Sequence, residues 1–93
     1  MIWSNTAIEH LVTLFGQIFK DSPLCAQRTI ERLVGRSERT ADFPLLGREA
    51  PEYEARDNRE VTETPFRLIY QLKDDQIDNL AVIHSSRILL PEL

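Results

Sequence analysis

The groups from which this chain could assemble a reactive or anion-binding surface lie in its second half: Arg59, Arg67, Tyr70, His84, Ser85, Ser86 and Arg87. An arginine on a sheet with tyrosine and histidine near it can bind phosphate or act on an RNA 2′-hydroxyl. His or Tyr would then move the proton, and Arg would stabilise the charge that develops. Each residue also has a plain structural reading. Arg67 can equally pair with Glu60 or Glu63 on a neighbouring strand, Tyr70 reads as core, and His84 reads as the satisfied end of an apolar strand. No Gly-rich phosphate loop, Ser-His-Asp order, Cys-His pair or paired-carboxylate cleft is visible in the spacing. The single Cys25 forms no internal disulfide, and two distant histidines give no zinc spacing, so neither metal nor cofactor is expected.

The elements that must position these groups follow from periodicity. Phe66–Leu72 and Ile77–His84 are rich in branched and aromatic residues and flank the polar turn Lys73-Asp74-Asp75-Gln76, which predicts a hairpin central to a sheet. Arg59–Glu63 is a further strand, joined by Thr64-Pro65, and the meander runs on to Ser85. At the other end, Ile2-Trp3 forms a short strand and Ser4 caps a helix over Asn5–Phe19. Its expected buried stripe is Ile8, Leu11, Val12, Phe15, Ile18 and Phe19, with Thr6, His10, Thr13 and Gln17 facing water. Gly16 within it suggests close approach of another element. Ser22-Pro23 starts a second helix reaching about Ala41, with Ala26, Ile30, Leu33, Val34 and Ser37 as its stripe. Cys25 is read there as a small packing residue. Phe43 and Leu46 are expected to plug the core around the Pro44 and Gly47 turn. Glu49–Asn58 is an acidic loop that Tyr53 can pin. The tail Arg87-Ile88-Leu89-Leu90-Pro91 either covers the sheet edge or awaits a partner.

The fold class is therefore α+β: an N-terminal antiparallel helix hairpin packed on a twisted, mainly antiparallel sheet of about four strands. The 93 residues make one domain with room for one modest core. A hydrophobic fraction of 42% with 28% charged residues is that of a soluble globular chain. No apolar run approaches a membrane span, and nothing resembles an export signal, so the cytoplasm is expected. The net charge of −4 argues against strong direct nucleic-acid binding.

Several pieces in order carry a resemblance: Ile2-Trp3-Ser4 with Ala7 and Leu11, Pro23 with Ala26, Phe43-Pro44-Leu45-Leu46-Gly47-Arg48, Arg59-Glu60, Phe66-Arg67-Leu68-Ile69-Tyr70, and Val82-Ile83-His84 with Arg87. Together they resemble the RelE/ParE superfamily of bacterial type II toxins, encoded beside an antitoxin, and lean to its ParE branch through Pro-x-x-Gly-Arg and the His-x-x-Arg ending. RelE-like members cleave mRNA in the ribosome with basic sheet residues and a C-terminal tyrosine or histidine. A nuclease built on this chain would use Arg67, His84 and Arg87. Glu60, Val61 and Glu63, however, occupy the strand where such nucleases carry lysines, and no tyrosine or histidine follows Arg87. The resemblance thus implies a ParE-like toxin that inhibits DNA gyrase by binding and is neutralised by a cognate antitoxin. It implies Arg59, Arg67, Tyr70, His84 and Arg87 as partner-binding residues. The alternatives are a ribosome-dependent mRNA endonuclease and a toxin fold that has lost toxicity. An antitoxin tail is expected to bury apolar surface along the helix hairpin or the sheet edge. A homodimer of the free toxin through the same surface stays open.

Overall fold

A computed structural model of the chain describes residues 1–49, 58–74 and 76–84. Strand β1 (Ile2–Trp3) leads into helix α1 (Asn5–Phe19), then helix α2 (Pro23–Asp42), a 3-10 turn (Pro44–Leu46) and the strands β2 (Arg48–Glu49), β3 (Asn58–Glu63), β4 (Phe66–Leu72) and β5 (Ile77–His84). The sheet order is β1-β5-β4-β3-β2, with β1 parallel to β5 and every other pair antiparallel. The expected strands are thus joined by a fifth, β2, whose two residues are too few to show alternation in sequence. None of the helices among the described residues is long and apolar enough to cross a membrane.

Ser4 does more than start a helix. Its hydroxyl accepts the Ala7 amide at 3.0 Å, the N-cap bond that satisfies an orphan donor. The same hydroxyl donates to the Leu80 carbonyl at 3.1 Å, and the Ser4 amide donates to the Asn79 carbonyl at 2.9 Å. One residue therefore caps α1 and fastens it to the edge of β5 away from β4. Ser22 caps α2 through the Cys25 amide, with Pro23 in the first turn.

Strand pleating sends alternate residues to opposite faces. The inner face, under the helices, holds Val61, Phe66, Leu68, Tyr70, Ile77 and Val82 against Leu33, with Trp3, Leu11, Leu14 and Ile18 around them. The outer face carries the cross-strand row Glu60, Ile69 and Ala81, with Leu80 and Ile83 alongside. The register slips by one between Ile69 and Tyr70, leaving Leu80 as the extra residue of a bulge. This slip is why Leu80 to Ile83 reads as continuously apolar. It also turns Asn79 inward, where its amide nitrogen donates to Ser37 Oγ at 2.7 Å in the buried junction of α2 and sheet.

Five sequence expectations are corrected. On α1 the packed residues are Ala7, His10, Leu11, Leu14 and Ile18, whereas Ile8, Val12, Phe15 and Phe19 are exposed. His10 faces β5 rather than water, as described below. Among the described residues, nothing lies within 4 Å of where a Cβ on Gly16 would stand, so no close approach within them explains that glycine. Cys25 is exposed, because the second helix buries its neighbour Ala26 instead. Phe43 is exposed rather than plugging the core. The Leu46 side chain, Tyr53, Ser85 and the tail from Arg87 lie outside the described residues.

Candidate functional site

The predicted site residues do not converge. Arg59 and Tyr70 are register partners on the inner face, Arg67 lies opposite Ile83 on the outer face, and His84 is paired with Phe66 at the exposed end of β5. Pleating therefore separates Arg67 from His84 by the thickness of the sheet. Arg87 and its two serines are outside the described residues.

On the outer face the organising group is Glu60, 1% exposed. Arg67 holds its Oε2 through Nε at 2.6 Å and through a second guanidinium nitrogen, so that two charge-assisted donors converge on one carboxylate oxygen. Arg48, from β2 opposite, reaches Oε1 at 2.5 Å while its own side chain stays mostly in water. Of the two partners the sequence left open for Arg67, Glu60 is the one used. Glu63 pairs instead with Arg32 of α2 at 3.1 Å, and Arg32 also donates to the Thr64 carbonyl at 2.7 Å.

At the inner corner, the Tyr70 hydroxyl donates to the Pro44 carbonyl at 2.5 Å and accepts the Gly47 amide at 3.1 Å. Arg59 closes the ring by donating to the Gly47 carbonyl at 2.8 Å. Burial raises the Tyr70 phenol above its ordinary pKa, and the Gly47 amide and the positive charges of Arg59 and Arg36 pull it partly back. The spacing Pro44-x-x-Gly47-Arg48 acquires a physical reason here. It sets an acceptor, a donor without side chain and a cation around one tyrosine and one glutamate.

A third feature lies between α1 and the end of β5, a cavity of about 410 Å³ lined by His10, Thr13, Leu14, Gln17, Phe66, Val82, Ile83 and His84. His84 stands edge-on to Phe66, ring centroids 5.7 Å apart. His10 Nδ1 accepts the Val82 amide at 3.0 Å, closing a donor that the short β1 does not reach. Sequence reasoning placed His10 on the wet side because the apolar stripe of α1 is wider than the face it buries. Replacing His10 by alanine leaves that partly buried amide without an acceptor, and the expected cost is about 1–3 kcal/mol. Urea denaturation measures the loss, and faster hydrogen exchange at Val82 locates it.

On the side of α1 away from the cavity, Ile8, Val12, Phe15 and Phe19 are exposed at successive turns, and Leu24 of α2 is exposed as well. Phe15 and Phe19 stack against one another at 5.6 Å. Contiguous apolar exposure of this kind marks an interaction surface. Among the described residues, no three His, Cys, Asp or Glu side chains come together as metal ligands.

The comparisons with known proteins agree with this architecture. A chromosomal ParDE toxin–antitoxin system from P. aeruginosa contains a chain of similar fold, with a TM-score of 0.73, 19% identity, and coverage of 88% of this chain and 90% of that one. No curated protein sequence matches at a significant level. The family model for the ParE toxin of the type II toxin–antitoxin system parDE matches residues 1–89, nearly the whole sequence. The chain belongs to the ParE toxin family of type II toxin–antitoxin systems.

Proposed function

We propose that the protein arrests its target by binding rather than by cutting RNA, that the target is DNA gyrase, and that a cognate antitoxin holds it silent in the cytoplasm. The observation that carries this reading is the division of the nuclease residues between two faces. Arg67 is neutralised by buried Glu60 on one face, while His84 opens on the other. A general acid or base and a charge-stabilising arginine must reach the same reacting group, and this pair does not. Membership of the ParE family supports gyrase as the partner. Growth arrest on expression without antitoxin, relieved by co-expressing the cognate antitoxin, with cellular mRNA left uncut, is the expected outcome. mRNA cleavage that disappears in Arg67→Ala would overturn it.

The antitoxin is expected to cover Ile8, Val12, Phe15 and Phe19 with an apolar helical face, the mode in which anchors at helical spacing enter a hydrophobic surface. Val12 is 66% exposed, so Val12→Glu should change folding stability by no more than about 0.5 kcal/mol. It should weaken antitoxin binding by about tenfold or more, as removal of a central interface contact does. Urea denaturation reads the first quantity, and calorimetric titration against the cognate tail reads the second. Unchanged affinity would move the docking surface to the β5 edge.

A further inference from the structure

The cavity between α1 and the end of β5 lies apart from the Glu60 and Tyr70 networks, and its walls have a chemistry of their own. One wall is a single row of α1, His10, Thr13, Leu14 and Gln17, which helical spacing places on one side of the helix. The facing wall holds the register pair Phe66 and His84, with Val82 beside them. The two rings stand nearly perpendicular, at 86°, so aromatic surface lines the cavity in two orientations. The space measures about 410 Å³. An apolar cavity of about 150 Å³ accepts benzene, and small-molecule sites begin at about 300 Å³, so this one has room for roughly two fused rings.

The polar side of the same space is set by one bond. His10 Nδ1 accepts the Val82 amide at 3.0 Å, which it can do only while that nitrogen carries no proton. The ring proton is then on Nε2, and among the described residues Nε2 has no hydrogen-bond partner. Thr13 and Gln17 are exposed at the rim, and neither makes a side-chain hydrogen bond to a described residue. Apolar and aromatic walls therefore meet one donor anchored by the sheet and two side chains that can donate or accept, the composition of a small-molecule site.

We propose that this cavity binds a small, flat compound of about two fused rings that carries a carbonyl oxygen. The oxygen accepts from His10 Nε2–H, the rings pack among Leu14, Phe66 and Val82, and Thr13 and Gln17 complete the polar contacts at the rim. The stripe Ile8, Val12, Phe15 and Phe19 is on the other side of α1, so a bound molecule leaves it uncovered. Occupancy of the cavity is thus separable from antitoxin binding.

The test is an amide NMR titration of the full isotope-labelled chain with coumarin, a bicycle with a ring carbonyl, and with naphthalene, a similar outline without one. Coumarin should shift the Val82 and Ile83 amides saturably, and naphthalene should do so about five- to tenfold more weakly, the contribution of one hydrogen bond. His10→Asn keeps a side-chain oxygen where Nδ1 accepts from Val82 and removes the Nε2 donor. It should bring coumarin down to the affinity of naphthalene and leave naphthalene unchanged. Thr13→Trp fills the cavity from its exposed rim and should abolish both, whereas Glu9→Trp, exposed on the same helix and not lining the cavity, should abolish neither. If His10→Asn fails to fold, the ratio of the two probes on the parent chain supplies the second reading. Equal affinity for coumarin and naphthalene would overturn the proposal. So would shifts confined to the stripe from Ile8 to Phe19, saturable binding indifferent to Thr13→Trp, or no saturable shift up to the solubility limit of coumarin.

Discussion

Replacing Glu60 by alanine is expected to cost about 3–5 kcal/mol, a large part of the roughly 5–15 kcal/mol by which a domain of this kind is stable. The reason is not that the ion pair is intrinsically strong. Moving Glu60 and Arg67 out of water carries a desolvation penalty that their attraction and converging hydrogen bonds only offset. Removing the carboxylate leaves a guanidinium that is largely buried and has lost that partner. Arg48, whose side chain is already solvated, can swing away at little cost, so the loss should be dominated by Arg67. It follows that the double variant Glu60→Leu with Arg67→Met, which removes both charges and keeps apolar volume, should recover most of the stability. A double-mutant cycle by chemical denaturation measures the coupling. A single-variant cost below about 1 kcal/mol would mean that water reaches the pair after all.

Gly47→Ala is expected to be the most damaging change of a single methyl group. The backbone there has a φ of −71°, open to any residue, so the obstacle is space. A Cβ would lie 2.8 Å from the Glu60 carbonyl and from Tyr70 Cε1, and nearer still to the Tyr70 hydroxyl. None of these atoms is the loose end of a flexible chain. The carbonyl belongs to β3 and the ring is fully buried, with its hydroxyl fixed between Pro44 and Gly47. Overpacking of this kind costs about 1–3 kcal/mol, and more when the neighbours cannot move. The same substitution supplies its own control. Gly16 and Gly35 are helical and, among the described residues, have nothing within 4 Å of an added Cβ, so alanine there should stabilise by up to about 1 kcal/mol. Melting the three variants side by side therefore predicts opposite signs for one chemical change. A destabilisation at Gly47 no larger than that of an ordinary surface substitution would show that the corner yields.

The sequence was most informative where a local physical rule acts alone. Ser4, Ser22 and Pro23 announce both helix starts because capping depends on a few adjacent atoms, and the three long strands are visible in their branched and aromatic runs. Tyr70 was legible as core from its place in such a run, though not its hydroxyl's two bonds, which depend on a turn 23 residues away in the chain. The orientation of α1 was not legible. Its apolar residues cover more than one face, and periodicity alone cannot say whether Phe15 or His10 meets the sheet. In the fold, β5 needs an acceptor for its Val82 amide, and His10 provides it. Glu60 was missed as a centre because an acid in a mixed strand ordinarily faces water. Its burial comes from arginines on two neighbouring strands, and one of those, β2, is too short to read. The bulge at Leu80 was hidden for a related reason, since a continuous apolar run conceals which residue has slipped.

Whether this toxin acts, as we propose, by binding gyrase is decided with purified components. DNA gyrase is incubated with relaxed plasmid and the toxin, with and without the antitoxin, and supercoiling and trapped double-strand cleavage are read on one gel. Loss of supercoiling with accumulation of gyrase-linked linear plasmid, both abolished by prior addition of antitoxin, is the expected result. Normal supercoiling at every toxin concentration, with or without cuts in ribosome-bound mRNA in a parallel reaction, would contradict it.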